Sequence, residues 1–321
     1  MFGEHKSKSK DKLERQILET LVLQTLKEQR RKRRWGIFFK FIIVILLIIL
    51  IVGIFWPSSY SPKSNPNKPH IAYVSIDGII MEGLNANADD IIYGLEHAFE
   101  DKYSKAVVVE INSPGGSPVQ SDEVYQAMRQ LEKAYPDKPL YAVCTDVCAS
   151  GGYYIASAAD EIYVNPMTIL GSIGVRADGF GFVETLQKLG ITRRLFTAGK
   201  DKDFLDPFKP LNQQQVEALD KMLTQTHQVF IDRVKQGRGK RLNLSQSAVL
   251  FSGQPFSGIE GKRYGLADGF MSLRQLAMQK YKLDNIVDYT YYKSPIEQLL
   301  MKVSTSLMYK AMLSSSLQLR F

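Results

Sequence analysis

The chain is poor in the residues that build disulfide scaffolds and zinc clusters. It has 2 cysteines and 4 histidines among 321 residues. Cys144 and Cys148 are four positions apart, a spacing that permits a disulfide without requiring one and that is not a CxxC motif. No histidine cluster accompanies them, so we expect two small packed thiols, with no metal and no cofactor.

Histidine is also missing from the places where a serine protease triad would need it. Two histidines fall inside predicted amphipathic helices, one starts the first predicted strand, and one lies near the N-terminus; they are His97, His227, His70 and His5. None lies in a turn, so a Ser-His-Asp triad is improbable and a serine nucleophile would need another base.

Beyond the N-terminus the chain lacks an excess of either charge. The formal net charge is +8, but residues 1–34 hold 11 Lys or Arg against 5 Asp or Glu, and residues 57–321 hold 29 against 28. The basicity belongs to the N-terminus, so no nucleic-acid partner is expected. The hydrophobic content of 45% is enough for a full core.

Residues 35–56 form a long apolar run in which Lys40 is the only charge. As a helix this run spans roughly 30 Å, the thickness of a bilayer core. No small-residue cleavage site follows it, and "RRKRR" at 30–34 precedes it. The run therefore predicts a single-pass transmembrane signal anchor, with a cytoplasmic N-terminus and an extracytoplasmic remainder.

The rest of the chain divides by composition. Residues 1–34 form a basic cytoplasmic segment with an amphipathic helix, and residues 57–69 a Pro/Ser/Asn linker. Residues 70–285 form the main domain, and residues 286–321 a C-terminal amphipathic helix and tail. The C-terminal helix could pack on the core, on a neighbouring subunit or on the bilayer.

Apolar runs alternate with helical stretches after the linker. The runs "HIAYVSIDGII", "KAVVVEIN" and "PLYAVCT" are nearly continuous in Val, Ile and other apolar residues, which is typical of strands covered on both faces. Amphipathic helical patterns separate them, and a further one covers residues 212–236. This order predicts an α/β fold with a parallel sheet.

Two glycine-rich turns follow two of these strands. In "INSPGGSP", Gly115 and Gly116 are free to take positive φ and to turn backbone amides outward. In "CASGGYYIASAAD", Ser150 begins a small-residue helix, where free amides and the helix dipole favour negative charge. Taken singly, the first is an ordinary tight turn and the second a helix cap, but together they indicate an acyl-transfer site.

A lysine is the usual substitute for histidine as the base, provided that its amine is neutral. The stretch "RLFTAGKDKDFLDPF" offers Lys200 and Lys202 among apolar residues whose burial would favour the neutral amine. A lysine in isolation is by default a solvated loop residue.

Four motifs in this order, "SPGG", "ASGGYYIASAADEIYVNP", "GSIGV" and "GKDKDFLDPF", resemble those of the S49 peptidase family, the family of signal peptide peptidase A and its single-domain relatives. The resemblance covers about residues 70–275 and makes 70–285 an S49 peptidase domain. It implies a ClpP/crotonase-like β-α superhelix and a serine-lysine catalytic dyad.

The resemblance also implies roles for individual residues. Ser150 corresponds to the nucleophile, and Lys202, rather than Lys200, to the base. Ser172 corresponds to a serine that orients the lysine, and Gly116, joined by the Gly151 amide, to the oxyanion donors. The chain has one copy of the domain, so the resemblance implies a homo-oligomeric ring with dyad residues drawn from neighbouring subunits.

The expected function is therefore cleavage of hydrophobic peptides, such as signal-peptide remnants or membrane-protein fragments, at a bacterial inner membrane. A catalytically silent scaffold that binds membrane proteins is the alternative. A crotonase-like acyl-CoA enzyme would share the fold, but its soluble cytoplasmic cofactor disagrees with the predicted topology.

Overall fold

A computed structural model of the chain describes residues 29–48 and 64–292. The chain divides into two units, residues 1–61 and 62–321. The predicted amphipathic helix near the N-terminus, most of the linker and the C-terminal amphipathic helix lie outside the described residues.

The first unit contains one described helix, α1, which covers residues 29–48. It includes residues 35–48 of the predicted membrane span, and most of its apolar side chains are exposed. Residues 49–56 of that span lie outside the described part of the chain. Within residues 29–48 and 64–292, no helix is both long and apolar enough to cross a membrane.

The second unit is built on an eight-stranded sheet. Its main path runs in the order β6-β5-β3-β2-β1-β8, and β4 pairs with both β3 and β7. The strands are β1 His70–Asp77, β2 Ser104–Ser113, β3 Leu140–Ala149, β4 Glu161–Val164, β5 Ile169–Gly171, β6 Pro255–Ser257, β7 Gly269–Phe270 and β8 Ile286–Asp288.

The predicted parallel arrangement is confirmed for this sheet. β1 pairs with β2 and β2 with β3 in parallel, through the Val- and Ile-rich runs that marked these strands in the sequence. β6 is the exception, because it lies antiparallel to β5 at the edge of the sheet. This strand begins with proline, which suits an edge position. Because it is only three residues long, no apolar run in the sequence predicted it.

Helices connect the strands and cover the sheet. α2 and α3 begin at Asn87 and Ser117, whose side-chain oxygens accept hydrogen bonds from backbone amides of the first helical turn. The helices of the second unit are α2 Ala88–Glu100, α3 Pro118–Ala134, α4 Gly151–Ala156, α5 Val183–Lys188, α6 Gln213–Arg238, α7 Ser247–Leu250, α8 Gly258–Tyr264 and α9 Leu273–Leu276.

The core has two parts, one on each face of the sheet. The larger cluster includes buried residues of α2, α3 and α4, such as Leu95, Met128 and Ile155. The smaller cluster joins Leu276 of α9 to Val108 and neighbouring residues on the sheet. Both faces of the central strands are thus covered, as their nearly continuous apolar sequences require.

β3 changes partners along its length and so directs the chain into the site. Residues 141–143 pair with β4, whereas residues 147–149 pair with β5. The register against β2 shifts between Ile111 and Ser113. Such an irregularity bends a strand, so the second half of β3 runs in a different direction from the first half. Ser150 follows at the end of this second half.

Candidate active site

Ser150 lies between β3 and α4 in a strained backbone conformation. Its φ is 51° and its ψ is −121°, and a positive φ is uncommon for a residue other than glycine. Its N–H donates to the Gly171 carbonyl at 2.8 Å, and its carbonyl accepts from the Tyr154 N–H at 2.8 Å. The side chain makes no capping hydrogen bond to α4, so Oγ is not engaged as a helix cap.

The "SPGG" turn after β2 lies directly against the start of α4. Gly115 has a φ of 101°, and a Cβ at this position would come within 2.6 Å of the Gly151 backbone nitrogen. The Gly115 N–H donates to Ser113 Oγ at 3.1 Å, which fixes the turn on its own strand. Only glycine fits this close approach of two backbone segments.

The amides of Gly116 and Gly151, the predicted oxyanion donors, lie close together. Gly116 forms a parallel bridge with Ile80, but its bonds use the Gly115 carbonyl and the Ser117 N–H, which leaves the Gly116 N–H outside the bridge. Gly151 is the first residue of α4, where the N–H has no acceptor within the helix. A Cβ built on Gly151 would lie 3.2 Å from the Gly116 nitrogen.

Ser172 lies in the turn after β5, beside the carbonyl that holds Ser150. Ser172 has a φ of 50°, and the preceding Gly171 has a φ of 88°. The Ser172 N–H donates to the Gln254 carbonyl at 3.1 Å. The serine predicted to orient the lysine is therefore one residue from the carbonyl that accepts the Ser150 N–H.

Four of the predicted site residues line one cleft of about 1300 Å³: Ser150, Gly151, Gly116 and Ser172. Its apolar lining residues include Ile79, Met81, Val119, Val229 and Phe230. Its charged or titratable lining residues are Asp122, Glu123, Tyr154, Arg176, Asp178 and His227. A cleft of this size can hold several side chains of a bound peptide.

Lys202 and Lys200 are not brought into this cleft. Both are exposed, and both lie in residues 175–212, which we call the arm. The arm contains α5, which has no buried residue, and every residue from 187 to 202 is exposed. We expected nearby apolar residues to bury the lysine and keep it neutral. In this described segment of the single chain they do not, since Phe196 is itself 90% exposed.

The C-terminal end of the arm is nevertheless held by hydrogen bonds within the arm and to α6. Asp203 accepts from Lys209 Nζ at 2.7 Å and from Gln215 Nε2 at 3.2 Å. The Leu205 N–H donates to Gln215 Oε1 at 3.0 Å. Lys202 therefore stands next to a fixed turn even though its side chain reaches solvent.

Sequence comparison identifies this domain. A family model described as peptidase family S49 matches residues 132–287, which include Ser150, Ser172 and Lys202. Protease 4 of Haemophilus influenzae is 31% identical over 230 residues, which cover 68% of this chain and 35% of that protein. The chain belongs to peptidase family S49.

Two further relatives are similar to this chain. The serine protease SPPA, chloroplastic, of Arabidopsis thaliana is 30% identical over 197 residues, covering 61% of this chain and 28% of that protein. A Brucella abortus protein named Na(+)/H(+) antiporter NhaA is 43% identical over 216 residues, covering 66% of this chain and 29% of that protein. The matched region thus spans about a third or less of the length of these curated relatives.

Residues in and beside the cleft also make interactions that the sequence did not predict. His227 on α6 donates from Nε2 to the Ile173 carbonyl at 2.9 Å. The Tyr154 hydroxyl donates to Asp122 Oδ1 at 2.6 Å, and Arg233 Nε donates to the same oxygen at 3.1 Å. Burial and the Asp122 carboxylate raise the pKa of Tyr154, so its hydroxyl stays a donor.

These bonds join residues that are far apart in sequence. Tyr154 and Asp122 are 32 positions apart, and His227 and Ile173 are 54 positions apart. The periodic pattern of α6 predicted a helix at His227, but no local signal indicated which surface that helix would cover.

Cys144 and Cys148 are free thiols buried in β3. Burial and the neighbouring Cys144 raise the pKa of the Cys148 thiol, so it stays protonated and unreactive. Across the described ranges 29–48 and 64–292, no group of three or more His, Cys, Asp and Glu side chains could hold a metal ion.

Proposed function

We propose that the chain is a membrane-anchored serine endopeptidase that cleaves hydrophobic peptides, such as signal-peptide remnants and membrane-protein fragments, on the extracytoplasmic side of a bacterial inner membrane. The observation that carries the proposal is Ser150 itself. Its backbone is held at positive φ, its hydroxyl does not cap α4, and two glycine amides lie beside it. Membership of peptidase family S49 supports serine peptidase chemistry.

The reaction uses Ser150 as nucleophile and Lys202 as general base. The neutral Lys202 amine takes the proton from Ser150 Oγ as Oγ bonds to the carbonyl carbon of the substrate. The carbonyl oxygen becomes an oxyanion that accepts hydrogen bonds from the Gly116 and Gly151 amides. The Lys202 ammonium then gives its proton to the leaving amine as the C–N bond breaks.

Water completes the cycle. It attacks the acyl ester while Lys202 takes one of its protons, and the ester bond breaks with return of that proton to Ser150 Oγ. Ser172 orients the Lys202 amine by a hydrogen bond from its hydroxyl. This role for Ser172 is supported by its position in the same cleft as Ser150.

A second copy of the chain supplies the lysine, in a homo-oligomeric ring. The support is the arm, which exposes apolar side chains that a monomer would ordinarily cover. They include Phe180, Phe182, Leu189, Ile191, Phe196 and Leu211. Packing this surface against a neighbour would remove water from Lys202 and favour its neutral amine.

The proposed membrane anchor and the apolar wall of the cleft support a hydrophobic substrate. Residues 35–56 carry a single charge and follow a basic cluster, as in a signal anchor with its N-terminus in the cytoplasm. Ile79, Met81 and Val119 are about half exposed or more, line the same cleft as Ser150 and offer contacts for apolar side chains. An extended peptide would bind there as an added strand.

Hydrolysis of a fluorogenic peptide rich in leucine and alanine tests this function, with the full-length chain in detergent micelles. We compare the wild type with Ser150→Ala, Lys202→Ala and Lys200→Ala, and check each variant for folding and assembly. Ser150→Ala and Lys202→Ala should each lose at least about 10³-fold in kcat/KM, while Lys200→Ala stays active.

Two results would change the assignment. Full activity of Lys202→Ala would show that another group is the base. An assembled wild type with no activity on any apolar peptide would favour the silent scaffold that binds membrane proteins.

A further inference from the structure

The turn that follows β5 holds an unusual backbone conformation. Gly171 and Ser172 both have positive φ, at 88° and 50°. For Ser172 this conformation costs free energy and persists only where surrounding contacts enforce it. The turn matters for the site because the Gly171 carbonyl accepts the Ser150 N–H.

Hydrogen bonds hold each of the three residues of this turn. The Gly171 carbonyl accepts from Ser150 at 2.8 Å, and the Ser172 N–H donates to Gln254 at 3.1 Å. The Ile173 carbonyl accepts from His227 Nε2 at 2.9 Å. Of these three bonds, the last is the one made by a side chain, so a substitution can remove it.

α6, the helix that carries His227, is anchored in the core. Phe230 and Val234, further along the same helix, are buried in the core. The Phe230 ring lies 4.9 Å from the ring of Tyr154, which belongs to the helix that Ser150 begins. α6 therefore contacts both the nucleophile's helix and the turn after β5.

We infer that His227 is a positioning residue for the Ser150 site: its Nε2–H fixes the Ile173 carbonyl and thereby the turn whose Gly171 carbonyl holds the Ser150 backbone. The inference rests on the proposed peptidase function for its effect on turnover. The bond needs a proton on Nε2, which the protonated imidazole and the Nε2–H tautomer of the neutral imidazole both carry, so it differs from the role of a general base.

Two substitutions of His227 distinguish a positioning role from that of a general base. His227→Gln keeps an N–H donor that can reach the Ile173 carbonyl, whereas His227→Leu removes the donor at similar size. We expect His227→Leu to lower kcat on the fluorogenic peptide by about tenfold with little change in KM, and His227→Gln to stay within about twofold of the wild type. Gln228→Leu, at an exposed neighbouring position on α6, is the matched control and should stay active.

Hydrogen exchange gives a readout that does not depend on activity. In the full-length chain, the Ser150 and Ser172 amides should exchange faster in His227→Leu than in the wild type, in His227→Gln or in Gln228→Leu. The same comparison with Ser150→Ala as background removes any contribution from turnover.

The outcomes separate the two proposals. Equal loss of activity in His227→Gln and His227→Leu would make His227 a base and overturn the positioning role. Unchanged turnover and exchange in His227→Leu would also overturn it. If the wild type is inactive but exchange responds as expected, the peptidase function fails and the structural part of the inference stands.

Discussion

The two halves of the candidate site differ in how much of the chain supports them. The half with Ser150 lies at the end of a buried strand, and every residue of α4 is buried. The half with Lys202 lies on the arm, where α5 has no buried residue. A single chain therefore forms the turn that holds Ser150. It also forms the turn beside Lys202, but it does not bury the Lys202 side chain.

The chemistry of each residue explains the difference. A serine with a positive φ persists only if surrounding contacts enforce that conformation. For Ser150 these contacts come from the same domain. A neutral lysine needs the removal of water, which a second subunit can provide at the moment of assembly. Such an arrangement would keep the unassembled chain inactive toward other proteins.

The strongest test of this contrast mixes two inactive variants. Ser150→Ala and Lys202→Ala chains should each be about 10³-fold less active than the wild type. If each site combines Ser150 of one chain with Lys202 of another, an equal mixture that is dissociated and reassembled should recover about a quarter of wild-type activity, because a quarter of random neighbour pairs are intact. The measurement is hydrolysis of the fluorogenic peptide.

The control for this experiment is a mixture of Ser150→Ala with the double variant Ser150→Ala/Lys202→Ala, which should stay inactive. Failure of the first mixture to recover activity, although mixed assemblies form, would place both dyad residues in one chain.

A second test concerns the packed half. Arg238 is buried and donates two hydrogen bonds to Asp268, at 2.8 and 2.9 Å. Burial alone would raise the pKa of Asp268, but the hydrogen bonds and charge of Arg238 outweigh it and lower this pKa. Asp268→Asn should lower the free energy of unfolding by about 3 kcal/mol at neutral pH, because it leaves the buried Arg238 without its counter-ion.

The pH dependence of this effect has a defined sign. A carboxyl group with a lowered folded-state pKa contributes its full stability above its unfolded pKa, about 3.9, and loses it as the pH falls through the folded value. The difference between wild type and Asp268→Asn in urea unfolding should therefore shrink below about pH 4. A difference that stays constant down to the acid transition would contradict the role of the ion pair.

A third test addresses the proposed contact between Ser172 and Lys202. Ser172→Ala removes the hydroxyl proposed to orient Lys202, while the backbone bond to Gln254 remains. We expect kcat to fall by about tenfold with unchanged thermal stability. Loss of thermal stability in parallel with kcat would instead make Ser172 a structural residue of its turn.

The smallest expected effect on stability lies in the arm. Phe196 is 90% exposed, so Phe196→Ser should change the free energy of unfolding of the dissociated chain by less than about 0.5 kcal/mol. The same variant should weaken self-association in sedimentation experiments, since it removes apolar surface from the proposed interface. Lys188→Ser, on the exposed surface of α5, is a control that should leave assembly unchanged.

The local parts of the site could be predicted because they are encoded within short segments. Gly115, Gly116 and Gly151 mark where the backbone must turn and approach another backbone, and such requirements are visible as glycines after strands. The strands β1, β2 and β3 were visible because both of their faces are covered, which imposes long apolar runs.

Other features depend on packing between distant segments. His227 and Ile173 meet because α6 returns across the cleft, and the helical periodicity of α6 carries no information about its partner. β6 joins the edge of the sheet with three residues, too few for a pattern. The exposure of Lys202 could not be derived from the apolar residues around it, because those residues face solvent in the single chain as well.

The two cysteines of β3 can report how often this strand separates from its neighbours. The only two cysteines of the sequence, Cys144 and Cys148, are buried in the strand that leads to Ser150. A small alkylating reagent should reach them only when β3 separates from its neighbours, so the rate of modification would time that separation without an engineered label.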